Sequence, residues 1–220
     1  KCCQGIAERI DKGTGRLGHS GVSLPYDGNA LVITSAHAHL MWALAEKAGV
    51  PIDEDVWKLS YRSVKASIGS GGAVGYNHTM RGSDYQSMPR TGVMATALAV
   101  SGREKSKLRG MLKWISKTPE QLVHGHAQVS MSWIFGTMGM ANGSPKDLFK
   151  LLDENNWVFS LAQPYDPAQG SYYVGSRGNI GGDGYLSYRQ VANYGSVLML
   201  AAASNETLWS FGNRTKGWAK

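Results

Sequence analysis

Two kinds of segment alternate along this chain, and that alternation limits what it can fold into more than any single motif does. Residues 30–48, 91–101, 127–141 and 191–204 are nearly free of charge and rich in Ala, Gly, Ser and Met. Residues 2–11, 54–68, 105–117 and 146–161 are amphipathic. In 54–68 the apolar Val56, Leu59, Tyr61, Val64 and Ile68 recur at mostly helical spacing, with Lys58, Arg62 and Lys65 between them. Leu108, Met111, Leu112 and Ile115 draw a similar stripe through 105–117. A helix that is apolar all round must be covered on all sides, whereas an amphipathic one covers others.

The connections alternate too. From amphipathic to apolar segment the chain runs through Gly-rich stretches at 12–18, 69–76 and 170–185, with a shorter, Gly-poor one at 118–125. These stretches hold much of the unusual glycine content, 28 of 220 residues, where about 7 % is ordinary. From apolar to amphipathic segment the turns are short, and Gly49, Gly102, Asn142-Gly143 and Asn205 read as helix stops. Ser144 followed by Pro145 reads as a helix start. The order predicts a single all-α domain over 1–220. Helical hairpins are laid out in two layers, with apolar helices inside and amphipathic helices outside.

Composition removes several classes. The only cysteines, Cys2 and Cys3, are adjacent, which argues against a disulfide scaffold and a cysteine-based zinc site. No run of about 18 apolar residues is present, so no membrane span is expected. Lys plus Arg is 23 against 16 Asp plus Glu, a net charge of +7 that favours polyanions in general. No nucleic-acid fingerprint accompanies it, and nucleic acid is not an expected partner. Residues 181–185 are Gly-rich but lack the spacing of a phosphate loop.

The run from Val56-Trp57-Lys58-Leu59 through Gly71-Gly72-Ala73-Val74-Gly75-Tyr76 to Thr91-Gly92-Val93-Met94-Ala95-Thr96-Ala97-Leu98-Ala99 carries a resemblance. Outer helix, Gly-rich turn and small-residue inner helix in this order resemble the repeats of the α/α-toroid superfamily. That superfamily includes squalene cyclases, prenyltransferase β-subunits and several polysaccharide lyases and glycosidases. More narrowly, the chain looks like a bacterial toroid domain that accompanies a PDZ module. The resemblance implies a central pit whose rim carries the site. It does not transfer cyclase chemistry, since no D-x-D-D occurs, nor prenyltransferase zinc chemistry, since the only cysteines lie at the extreme N-terminus. About four hairpins are present where closed toroids have five to seven. An incomplete ring, the C-terminal part of a longer chain or one completed by another domain, is therefore expected.

The histidines suggest where chemistry could sit. All six, His19, His37, His39, His78, His124 and His126, fall in Gly-rich connections or early in apolar helices. His37/His39 and His124/His126 share an H-x-H spacing; residues two apart lie about 200° apart on a helix and do not easily meet one metal. A His-bound divalent metal is thus a minority expectation, and no cofactor is required. The polar stretch 76–90 offers Asn77 and Arg81 to hold a carboxylate, with Arg90 adding positive potential. His78 and Tyr85 would act as base and acid, joined by His124 and His126 across the pit, and Tyr173 and Tyr185 would stack on substrate. A proton α to a carboxylate is removable only once that charge is neutralised, which is why such groups would gather. The first expectation is a pit enzyme on an acidic or polar polymer, a polysaccharide. The alternatives are a binding or scaffold module that grips a peptide or partner domain, and a metal-dependent hydrolase. Compartment stays open.

Overall fold

The computed structural model describes residues 1–18, 31–78, 80–83, 87–123, 129–161, 165–167 and 170–171. Eight α-helices lie in them: α1 (Cys2–Ala7), α2 (Val32–Lys47), α3 (Glu54–Ala66), α4 (Met88–Ser101), α5 (Lys105–Lys117), α6 (Val129–Met140), α7 (Pro145–Glu154) and α8 (Asn156–Leu161). A 3₁₀ helix spans Pro119–Val123, and a two-residue antiparallel ladder joins Tyr165–Asp166 to Gly170–Ser171. The described part is all-α but for that ladder. None of its helices is long and apolar enough to cross a membrane.

Helix α4 is the centre. Every residue from Met88 to Val100 is buried, because α2 packs on one side of it, α6 on the other, and α5 behind. Helices α2, α4 and α6 are three of the four charge-poor segments of the sequence. The fourth, 191–204, lies outside the described residues.

The contacts at the helix ends fix their directions. Val32, opening α2, donates its N–H to the Tyr76 carbonyl (3.1 Å), and the Tyr76 ring lies 5.3 Å from the guanidinium of Arg90 in the first turn of α4. At the other end Glu46 of α2 pairs with Arg103, just past α4, at 2.6 Å. So α2 and α4 run parallel. Gly92 of α4 meets Phe135 and Gly136 of α6, and Thr96 accepts from Asn142, past the end of α6 (3.4 Å). So α4 and α6 run parallel as well. Short turns after each inner helix send the outer helices back the other way.

The outer helices bury one stripe each. In α3 it is Trp57, Ser60, Tyr61, Ser63 and Val64, and in α5 it is Met111, Trp114 and Ile115. Helix α3 begins on Asp53, whose carboxylate accepts from the N–H groups of Asp55 (2.9 Å) and Val56 (3.2 Å). Ser144 caps α7 in the same way, accepting from Asp147 N at 3.1 Å. Gly49 and Gly102 end their helices at φ +82° and +70°, the left-handed stop expected of them.

Two boundaries differ from the sequence reading. The polar stretch was expected to run to Arg90, but α4 starts at Met88, because Pro89 in the first turn forfeits no helical hydrogen bond. The amphipathic segment 146–161 is broken at Asn155. Its side-chain amide donates to the carbonyls of Leu151 (2.8 Å) and Pro119 (2.9 Å), closing α7 and pinning it to the 3₁₀ turn.

The Gly-rich connection after α3 is a folded object. Ser67 O accepts from both Gly75 N (3.0 Å) and Gly82 N (2.7 Å), and Gly69 N donates to Ala73 O (2.8 Å). At Gly72, φ is +104° and a Cβ would fall on the backbone of Gly110 in α5. Glycine is needed there for conformation and for space together.

Candidate functional site

The sequence-expected residues that the structure describes are Asn77, His78, Arg81 and Arg90. Tyr85, His124, His126, Tyr173 and Tyr185 lie outside the described residues.

His78 is 5 % exposed. Its Nδ1 lies 2.5 Å from Ser63 Oγ of α3, and its Nε2 lies 3.4 Å from Ser35 Oγ of α2. The imidazole therefore ties the loop to one inner and one outer helix. Burial drives its pKa down to about 4, against the bond to Ser63, and Arg16 lowers it further. It is neutral at physiological pH, and both nitrogens are occupied by the fold.

Arg90 is 4 % exposed. Its Nε donates to the Val74 carbonyl (3.3 Å), and Thr91 beside it accepts from Val74 N (2.9 Å). Together they hold the Gly-rich loop on the start of α4. Burial lowers the guanidinium to about 10, and it stays charged at neutral pH. Asn77 is also buried; its Oδ1 accepts from Met80 N (2.9 Å), and its backbone pairs with Leu31. Arg81 is exposed. Thus three of the four described candidates lie in the walls of the fold, clamping the connection on which they sit.

The two histidines of α2 part company. His39 is 1 % exposed and stands edge-on to Trp42, Trp57 and Tyr61, with ring centroids 5.1–5.8 Å away. Neither of its ring nitrogens has a hydrogen-bond partner among the described residues. Burial, then the charge of Arg103, takes its pKa to about 3. Arg103 lies over Trp57 at 4.4 Å and binds Glu46 (2.6 Å) and Glu54 (2.9 Å). Among the described residues no group of three or more His, Cys, Asp or Glu side chains could hold a metal.

His37 faces elsewhere and was not among the residues assigned a catalytic or binding role. It lines a groove of ≈ 770 Å³ between α1, the 17–18 turn and α2. Ile6, Leu17, Leu40, Met41 and Leu44 make its apolar wall, and Arg9, Thr34 and His37 supply its polar groups. His37 Nδ1 donates to the Ile33 carbonyl at 2.8 Å. That bond fixes the tautomer and leaves Nε2 as an acceptor. Burial lowers the pKa of the ring, so it is a neutral acceptor at pH 7. The sequence did carry the signal: residues 34, 37, 41 and 44 recur at helical spacing, on a helix otherwise apolar enough to be buried all round.

These features define a two-layer, parallel-inner-helix α/α protein with an apolar surface groove. Residues 4–211 match the family described as "Domain of unknown function (DUF6288)", and the chain belongs to that family. No curated protein and no solved structure matches it.

Proposed function

We propose that the chain is an arc of an α/α-toroid and works as a peptide-binding module through the α1–α2 groove. The toroid reading is supported by the parallel α2, α4 and α6 backed by returning outer helices. The observation that carries the binding reading is the state of the rim: His78, Asn77 and Arg90 are buried and spent on the fold, whereas the groove is open. Its ≈ 770 Å³ falls within the range of about 300–1,000 Å³ usual for ligand sites. Leu and Met walls adapt to apolar side chains, and one neutral histidine acceptor and one arginine orient a backbone or an acidic group.

A peptide-display selection on the whole chain tests this. Selected peptides should carry apolar residues, and Met41→Trp, which fills the groove, should abolish their binding while the unfolding temperature is kept. No selection, or peptides that bind Met41→Trp unchanged, refutes the reading. Turnover of an acidic polysaccharide that disappears in His78→Asn, at unchanged stability, would restore the pit enzyme in its place.

A further inference from the structure

Helix α5 has a charge pattern unlike its neighbours. Lys105, Arg109, Lys113 and Lys117 are all exposed and recur every fourth residue, and the helix contains no acid. None of the four has an ion-pair partner among the described residues, where the pairs are Lys58–Glu54, Arg103 with Glu46 and Glu54, and Lys150–Glu154. The contrast with α3 is telling. Helix α3 opens with acids, Glu54 and Asp55, after an Asp53 cap. Helix α5 opens with Lys105 and has no acid in its first turn, where the helix dipole disfavours cations by about 0.3–1 kcal/mol each. Of the four, Lys105 stands in that first turn against the dipole, while Lys117 stands in the last turn, where a cation is favoured.

The basic surface extends sideways. A groove of ≈ 570 Å³ is lined by Lys58, Arg62 and Lys65 of α3 together with Arg103 and Glu104, the residue that precedes α5. Of its acids, Glu54 is paired with Arg103 and Lys58, while Glu104 carries a charge that, after burial, helps push the pKa of the Tyr61 hydroxyl up.

We infer that this outer face, α5 with the adjoining α3 groove, binds a linear acidic polysaccharide, a chain bearing carboxylate or sulfate groups at short intervals. Successive cations of the stripe are about 6 Å apart and turn by about 40° at each step. A flexible chain follows such a spiral, whereas a stiff duplex touching a convex helix meets only part of it. The exposed positions of α5 hold Lys, Arg and Ser. They offer no aromatic ring to stack on a base and no amide to read one, and the two rings that line the α3 groove, Trp57 and Tyr61, are buried, Trp57 beneath Arg103; single-strand and groove recognition use such groups exposed. Recognition here is by charge and spacing alone. The site is separate from the α1–α2 groove.

The test is binding of the full chain to heparin, to polygalacturonate and to a 30-nucleotide single-stranded DNA. Titrations at 50 and 200 mM salt are compared for the wild type and the quadruple variant K105Q/R109Q/K113Q/K117Q. A second quadruple variant, K1Q/K12Q/K47Q/K146Q, removes equal charge from exposed positions elsewhere. The expected result is polysaccharide binding that weakens by at least about 50-fold between the two salts, the share that the four α5 charges alone would give on a single-stranded polyanion. It should weaken at least tenfold in the α5 variant and less than threefold in the other. Heparin against polygalacturonate distinguishes sulfate from carboxylate recognition. DNA binding as tight as polysaccharide binding overturns the inference, as do equal losses in the two variants or no binding at 50 mM salt. Circular dichroism and unfolding temperature confirm that both variants fold.

Discussion

Buried neutral histidines make this protein acid-sensitive by an amount that the structure predicts. His78 has a folded-state pKa of about 4 and His39 of about 3, against 6.5 when unfolded. Both are bases whose charged form the fold disfavours. Below pH 6.5 the unfolded chain takes up protons that the folded chain refuses. Stability is therefore full above pH 6.5 and is lost as pH falls from there towards 4. Between pH 7 and pH 5 each histidine withdraws about 2 kcal/mol, so the pair withdraws about 4 kcal/mol. That is a large part of the 5–15 kcal/mol by which domains are ordinarily stable. His37, also lowered by burial, acts in the same direction. Urea unfolding followed by tryptophan fluorescence at the two pH values reads this directly. With a slope of about 2 kcal/mol per molar urea, the midpoint should fall by about 2 M. His39→Phe keeps an aromatic ring among Trp42, Trp57 and Tyr61 but removes the titrating group, and the fall should shrink to about 1 M. A pH-independent wild-type midpoint, or an equal fall in His39→Phe, would refute the reasoning.

Other substitutions probe the packing. Gly92→Ala sets a methyl against the Phe135 carbonyl and Gly136 N–H of α6; overpacking of about 1–3 kcal/mol outweighs a helix-propensity gain of at most about 1 kcal/mol, so thermal denaturation should come earlier. Asp53→Ala removes both cap bonds of α3 and should cost about 1 kcal/mol in denaturant titration. Arg103→Ala loses two carboxylate partners and the Trp57 face at a partly exposed site, where about 1–3 kcal/mol is expected, less as salt is added.

The layering was legible because it rests on composition. A helix whose one charge, Arg90, stands in its first turn, such as α4, can only be interior, and a helix with Lys58, Arg62 and Lys65 on one side can only be exterior on that side. Gly49 and Gly102 were legible as stops because few other residues take φ near +70° to +80° cheaply. The break at Asn155 was not legible, because it depends on the Pro119 carbonyl, 36 positions away. The burial of His78 was not legible either, since its partners Ser35 and Ser63 are short polar residues on helices whose relative placement the sequence does not state.

The same reasoning explains why residue chemistry alone pointed to the rim. A Gly-rich connection brings many backbone N–H and C=O groups into a crowded place with few side chains to cover them. Each needs a partner, because an unpaired buried polar group costs about 1–3 kcal/mol. Polar side chains beside such a connection are therefore recruited by its backbone first. Arg90 and Thr91 go to Val74, and Asn77 goes to Met80. Asn77 and Arg90 thus look like site residues by type and are held by the loop backbone, while His78 is held by the hydroxyls of Ser63 and Ser35. Capacity for a ligand lies where a bond has been left unmade. It remains at His37, whose Nδ1 is taken by Ile33 and whose Nε2 is left over, on a groove that apolar packing has not filled. It remains as well along α5, whose cations no acid of the described fold neutralises.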